Sequence, residues 1–154
     1  MAIRSAAKAV IMRDGKVLLN RCYGRTVGEY YALPGGGQLQ HESLPEAIRR
    51  ECLEETGYTV AIDRFLALCE EIITDEAVRQ RHPDYTHKVY HVFLCHIACD
   101  TKAQPSERDA NQVGCEWVAI EDVAALRLFP RPLAANLARL IRDNETAWFE
   151  TDYS

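Results

Sequence analysis

The stretch GGGQLQHESLPEAIRRECLEETGY, residues 35–58, decides the fold. It carries five glutamates, Glu42, Glu46, Glu51, Glu54 and Glu55, in a segment that otherwise reads as a helix with one apolar side. Ser43 with Glu46 three residues on has the form of a capping box, Pro45 is tolerated in a first turn, and Gly57 supplies a stop. A helix is therefore predicted over residues 43–55. At about 100° per residue, Leu44, Ala47, Ile48 and Cys52 make an apolar stripe. Glu51 and Glu55 fall inside that stripe and Glu54 at its edge, whereas Glu46, Arg49 and Leu53 lie opposite.

Carboxylates on a buried face demand compensation. An unpaired ionised carboxylate is costly to bury, and three together repel one another. Arg50 can reach Glu54 at i+4 or Glu46 at i−4, but one guanidinium does not neutralise three glutamates. A hard divalent cation with oxygen ligands does, which points to Mg²⁺ or Mn²⁺. Mg²⁺ takes one or two carboxylates and completes its sphere with water and substrate phosphate oxygens. The glycines just upstream offer backbone carbonyls as well. The spacing alone thus indicates metal-dependent chemistry on a phosphate substrate. A solvated face beside a chain bend would explain Glu46 well, and Glu51 and Glu55 poorly.

Outward from this helix, the chain reads as mixed α/β. AAKAVIMRDGKVLLNRC is two strand-like runs around Asp14-Gly15, a strong hairpin signal. YYALPGGGQL ends a short extended piece in three glycines, read as a turn or ligand-approach loop. Residues 58–73 are strand material, and residues 74–86, with Pro83, a long loop or irregular insert. HKVYHVFLCHIAC is another strand, DTKAQPSERDANQVG a loop, CEWVAI a short strand and EDVAALRLF a helical turn or two. Leu133, Leu137, Leu140 and Ile141 give the last segment an amphipathic helical spacing. No internal repeat or linker divides the 154 residues, so one domain over 1–154 is expected.

A formal net charge of −5 argues against a nucleic-acid polymer as partner. No apolar run approaches the ~18 residues that span a bilayer, and the N-terminal apolar run is broken by Lys8, Arg13 and Asp14, unlike a signal peptide. Six scattered cysteines without a C-x-x-C pair suit reduced thiols and a cytoplasmic protein better than disulfides or zinc.

Gly36, five residues, Glu42, seven residues, then RECLEETGY resembles the Nudix box, G-x5-E-x7-R-E-U-x-E-E-x-G-U, in which U is a bulky aliphatic residue. Gly36, Glu42, Arg50, Glu51, Glu54, Glu55 and Gly57 match; Cys52 and Tyr58 stand at the U positions, departures that touch packing more than chemistry. The resemblance implies the Nudix fold, an α/β/α sandwich with a mixed β-sheet. It also implies hydrolysis of a nucleoside diphosphate linked to a group X, by water attack on phosphorus of the pyrophosphate. By the family pattern Glu51, Glu54 and Glu55 are metal ligands, with the Gly36 carbonyl as a further ligand. Arg50 orients the carboxylates, and Glu42 pairs with it or supports the metal through water. Glu54 is the first choice of general base, with Glu107, Asp109, Glu116 and the pair Glu70-Glu71 as others.

Selectivity is expected from loops and strand faces around the box. Arg21 and Arg25 are candidates for substrate phosphates, as are Arg79, Arg81, His82, His87 and Lys88, which could instead meet a partner subunit. Tyr23, Tyr30, Tyr31 and Phe129 could stack on a base, and Trp117 reads as core. The leading expectation is a Mg²⁺-dependent pyrophosphohydrolase of a small nucleotide substrate. NTPs, ADP-ribose, nucleotide sugars and dinucleoside polyphosphates all stay open as that substrate. A non-catalytic Nudix-fold nucleotide sensor is the alternative, disfavoured because Glu51, Glu54 and Glu55 all stand. A carboxylate-bridged iron protein would want Glu-x-x-His on several helices, and that pattern is missing from this one. A homodimer is a further expectation, by analogy with relatives.

Overall fold

A computed structural model describes residues 2–99, 101–107 and 109–154. The first hairpin forms as its sequence dictates: β1 (Arg4–Arg13) and β2 (Lys16–Gly24) are joined through Asp14 and Gly15, both at positive φ as a tight hairpin turn requires. Only its base is paired, Met12 with Val17 and Arg13 with Lys16. Beyond that the strands splay, so each half of the molecule is built on one arm of the hairpin.

β2 pairs with β3 (Gly28–Ala32), and β1 pairs antiparallel with β4 (Gly35–Gly37). The three glycines, read as a turn or loop, are thus a short strand, and among the described residues β4 pairs only with β1. Helix α1 (Leu44–Thr56) follows. Both halves of the Ser43–Glu46 capping box are made, and Gly57 ends the helix at φ 79°, a left-handed conformation that favours glycine. A Cβ at Gly57 would also stand 2.0 Å from the Ala103 carbonyl oxygen.

β5 (Val60–Ile72) leads into the insert, which is more regular than its composition suggested. Asp75 caps a short helix α2 (Glu76–Arg81) by accepting from the Ala77 and Val78 amides, and a single 3₁₀ turn covers Pro83–Tyr85. β6 (His87–Ile97) then pairs antiparallel with β5 and parallel with β1. β7 (Gln112–Ala119) joins β2, and β8 (Leu128–Phe129) joins β3. After α3 (Arg131–Arg142), β9 (Ala147–Trp148) and β10 (Asp152–Tyr153) lie along β5. The sheet is mixed, as expected, with the order β10-β5-β6-β1-β2-β3-β8.

Strand alternation divides the core into two layers. Val10, Val17 and Leu19 point to the α3 side with Leu133, Leu137 and Leu140. Ala7, Ala9, Ile11 and Leu18 point to the α1 side with Ala47, Ile48 and Cys52. The result is a sheet between helices, the expected α/β/α sandwich. Trp117 packs against the α1 side, edge to face with Tyr58 at 6.1 Å. No helix among the described residues is long and apolar enough to cross a membrane.

Candidate active site

The glycine strand brings the site together. A Cβ at Gly36 would stand 2.7 Å from the carboxyl carbon and both oxygens of Glu51. One residue on, a Cβ at Gly37 would stand 2.4 Å from the Arg4 guanidinium. Successive strand residues face opposite ways. A bare strand therefore lets an acid close in over one face and a base over the other.

Arg50 holds the acids in place. Its Nε and Nη2 donate to the two Glu42 oxygens at 2.7 and 3.0 Å, and Nη1 donates to Glu51 at 2.8 Å and to Glu54 at 3.3 Å. Nη2 also donates to the Gly37 carbonyl at 3.0 Å. Of the two partners open to Arg50 along the helix it takes Glu54, while Glu46 remains in the cap. This bidentate pairing holds the Glu42 carboxyl below the usual carboxylate range, mainly through the Arg50 hydrogen bonds, and pushes the Arg50 pKa up. Burial raises the Glu51 pKa, against the pull of Arg50.

Glu55 differs from the others. It is 4% exposed, and one of its oxygens accepts from Asn20 Nδ2 at 2.8 Å and from the Gly35 amide at 3.0 Å. Gln112 Nε2 donates to Asn20 Oδ1 and to the Glu55 carbonyl, so an amide pair from β2 and β7 seats the end of α1. Burial pushes the Glu55 carboxyl up to about 7, although Lys8 and these donors pull it back.

Glu51, Glu54 and Glu55 line one cleft of about 170 Å³ with Arg50, Glu107 and Asp109. The loop that brings Glu107 is tied down by its amide, which donates to the Glu54 carbonyl at 3.2 Å, and by the Ala103 amide, which donates to the Gly57 carbonyl at 2.8 Å. Five carboxylates against one guanidinium suit a hard divalent cation. Among the described residues no three acid, imidazole or thiol groups form a ready-made metal cage. The donor set therefore fits an ion that takes carboxylates from this cleft and completes its sphere with water and phosphate oxygens.

Beside this cleft runs a trough of about 210 Å³ with Arg4, Lys8 and Lys88 on its wall. The parallel register puts Arg4 beside Lys88, and alternation along β1 puts Lys8 on the same face as Arg4. Lys8 Nζ donates to the Gly35 and Leu33 carbonyls at 2.8 and 3.3 Å, and among the described residues it makes no ion pair. A third cleft, of about 310 Å³, carries Tyr30 and Phe129, whose rings meet edge to face at 5.6 Å.

The other candidates are dispersed. Arg21 lies 3.9 Å from Glu29 and Arg25 stands exposed near the β2–β3 turn; neither lines these clefts. Tyr31 donates to Glu116 at 3.0 Å and Tyr23 is exposed. Glu70 pairs with His87, and Glu71 accepts from Tyr90 at 2.9 Å in the aromatic cleft. Arg79 donates to the Ile73 carbonyl and so holds the insert, while Arg81 and His82 are exposed. Arg4 and Lys8 escaped the sequence reading. Lys8 did carry a signal, a cation on the inward alternation of Ala6 and Val10.

The NUDIX domain model matches residues 2–142. Among solved structures, a NUDIX hydrolase from Nitrosomonas europaea superposes with TM-score 0.73 at 20% identity, over 94% of this chain and 92% of that one. A MutT protein from Bacillus halodurans superposes with TM-score 0.70 at 18% identity, over 98% and 90%. An ADP-ribose pyrophosphatase from Streptococcus suis superposes with TM-score 0.62 at 20% identity, over 99% and 100%. No curated protein matches the sequence. At these identities the structures establish the fold, while the family model covers most of the sequence, including the glutamate helix: the chain belongs to the Nudix family.

Proposed function

We propose that the protein is a divalent-metal-dependent pyrophosphohydrolase acting on a nucleoside diphosphate linked to a group X, with Mg²⁺ as the working ion and Mn²⁺ as a substitute. One observation carries this reading: the carboxylates of α1 and the cations of β1 and β6 meet around a strand of bare glycines. The acids suit a metal and the cations suit phosphate, so an anhydride fits between them.

Glu51 and Glu54 would hold the ion, with Glu55 and the Gly36 carbonyl as further donors. Bound there, a divalent ion would offset charge on the phosphoryl oxygens and lower the pKa of water. Arg50 keeps Glu51 and Glu54 aimed into the cleft by the bonds it makes to both. Glu54 takes the proton of the attacking water; Glu107 and Asp109, on the same cleft, are the other carboxylates in position. Glu70 pairs with His87, Glu71 accepts from Tyr90 and Glu116 accepts from Tyr31, all outside this cleft, so they rank behind Glu107 and Asp109.

The test is a hydrolysis screen over NTPs, ADP-ribose, nucleotide sugars and dinucleoside polyphosphates, with Mg²⁺, Mn²⁺ or EDTA, and products identified by mass. Metal-dependent cleavage of one class is expected, and it names X. Hydrolysis that persists in EDTA would refute the metal requirement, and silence throughout without metal binding would revive the sensor.

A further inference from the structure

Two kinds of partner hold the carboxylates of α1. Glu51 and Glu54 share the charged Arg50, which comes from the helix itself. Glu55 is held by neutral amides from other elements, the Asn20 side chain of β2 and the Gly35 backbone of β4. Both of those bonds fall on Oε2, and Glu55 lines the carboxylate cleft. Neutral donors orient a carboxylate without pairing off its charge. No protein donor among the described residues has to leave Oε1 before a cation binds there.

The donors run one way. Gln112 Nε2 donates to Asn20 Oδ1 at 3.3 Å, and Asn20 Nδ2 donates in turn to Glu55 Oε2 at 2.8 Å. Turning Asn20 over would set its oxygen against a carboxylate and its nitrogen against the Gln112 nitrogen. Gln112 is fixed likewise, since Nε2 has Asn20 Oδ1, the Glu55 carbonyl at 3.3 Å and Cys115 Sγ at 3.4 Å in reach. Its Oε1, by contrast, is buried without a partner among the described residues. An orphaned buried carbonyl is destabilising, and an apolar side chain of similar length would avoid it. What Gln112 contributes is therefore its nitrogen, which serves Asn20 and a carbonyl of the last turn of α1 that the helix leaves open.

We propose that Asn20 and Gln112 are positioning residues for the reaction, a relay of neutral amides that holds Glu55 by Oε2 and so presents Oε1 to a divalent cation in the cleft. This rests on the hydrolase reading above and deepens it, because it assigns two residues outside the glutamate helix to the same site. Neither lines the carboxylate cleft, and both are buried, Asn20 at 4% and Gln112 at 7% exposure. Asn20 acts on the carboxylate directly and Gln112 acts through Asn20 and the helix end. Without Asn20 the Glu55 carboxylate keeps only the Gly35 amide and gains freedom to rotate. A cation must then order it on binding, which weakens the site.

Mn²⁺ alone, titrated calorimetrically into the metal-free full chain, tests this without turnover. Asn20→Leu should bind Mn²⁺ about tenfold more weakly than the wild type, and Gln112→Met about threefold more weakly, both with wild-type circular-dichroism spectra. In a Glu55→Gln background Asn20→Leu should weaken binding no further, because the relay acts through that carboxylate. On the best substrate of the screen, the Mn²⁺ concentration for half-maximal rate should rise by the same factor as Kd, with KM for the nucleotide unchanged. Wild-type Mn²⁺ affinity in folded Asn20→Leu, or a loss equally large with and without Glu55, overturns the relay and leaves the two amides as packing. If Asn20→Leu does not fold, Gln112→Met decides alone, and unchanged affinity there overturns the proposal. Weakened Mn²⁺ binding in a protein that hydrolyses no anhydride would support the relay and refute the hydrolase reading. Hydrolysis with wild-type Mn²⁺ affinity in both variants would do the reverse.

Discussion

Glu51 takes the space that any side chain at Gly36 would need: its carboxyl carbon and both oxygens lie 2.7 Å from where that Cβ would stand. The glycine serves here by what it lacks, since its φ is not among the positive ones. Gly36→Ala should push the carboxylate out of the cleft. Misplacement on the order of 1 Å costs about 10²-fold in rate. Turnover should fall by that order, with a circular-dichroism spectrum like that of the wild type. Full activity in the alanine variant would show that the carboxylate does not need this position.

Arg50→Ala removes the group that Glu42, Glu51, Glu54 and the Gly37 carbonyl share. Hydrogen bonds to charged partners contribute about 1.5–3 kcal/mol each when buried, but Arg50 keeps 27% of its side chain exposed. A loss of about 2 kcal/mol is reasonable after that discount, which for a chain of this size lowers Tm by roughly 4–8 °C. Arg50→Lys should restore little, because an ammonium cannot reproduce the fork to Glu42. An unchanged melting temperature in Arg50→Ala would mean that solvent already satisfies its partners.

Glu55 should make stability fall as pH rises. Its folded pKa, about 7, stands above the ordinary carboxylate value of 4.5 because of burial, so between those values the folded state binds the extra proton. The stabilising contribution is full below about pH 4.5 and is lost as pH rises through about 7; the difference is about 3 kcal/mol. In EDTA, the stability of wild type relative to Glu55→Gln should decline across this window. A difference independent of pH, or one growing with pH, would contradict the placement of that carboxyl in a dry site.

Gly57→Ala should destabilise more than a helix-end alanine usually does. The αL backbone alone costs about 1–2 kcal/mol for a side-chain-bearing residue, and here the new Cβ would also meet the Ala103 carbonyl at 2.0 Å. The loop carrying Glu107 would have to move. Chemical denaturation should show a loss above about 2 kcal/mol; a neutral outcome would mean that this loop is free to shift.

Much of this arrangement was legible in the sequence, and the limits have physical causes. The α1 boundaries follow from contacts three or four residues apart, Ser43 with Glu46 and Gly57 with Leu53, so local spacing was enough. β4 was missed because three glycines have no alternation to read; only its ladder with Ala6, Ala7 and Lys8 makes it a strand. α2 was obscured by Pro83, although Asp75 two residues ahead of Ala77 is an N-cap signal. The trough could not be read locally at all, since Arg4 and Lys88 become neighbours only through parallel pairing across most of the chain. Arg21 and Arg25 follow the first hairpin, and pairing of β2 with β3 leaves them off the cleft that Glu51, Glu54 and Glu55 line.

The most direct test of the carboxylate cleft is Glu54→Gln, measured for turnover on the best substrate from the screen and for Mn²⁺ affinity by calorimetry. Proton transfer and charge stabilisation are each worth about 10²-fold or more. Turnover should fall at least that far and Mn²⁺ should bind more weakly, while Tm stays near that of the wild type. Wild-type turnover and wild-type Mn²⁺ affinity in a folded Glu54→Gln protein would contradict a catalytic metal held by the glutamates of this helix.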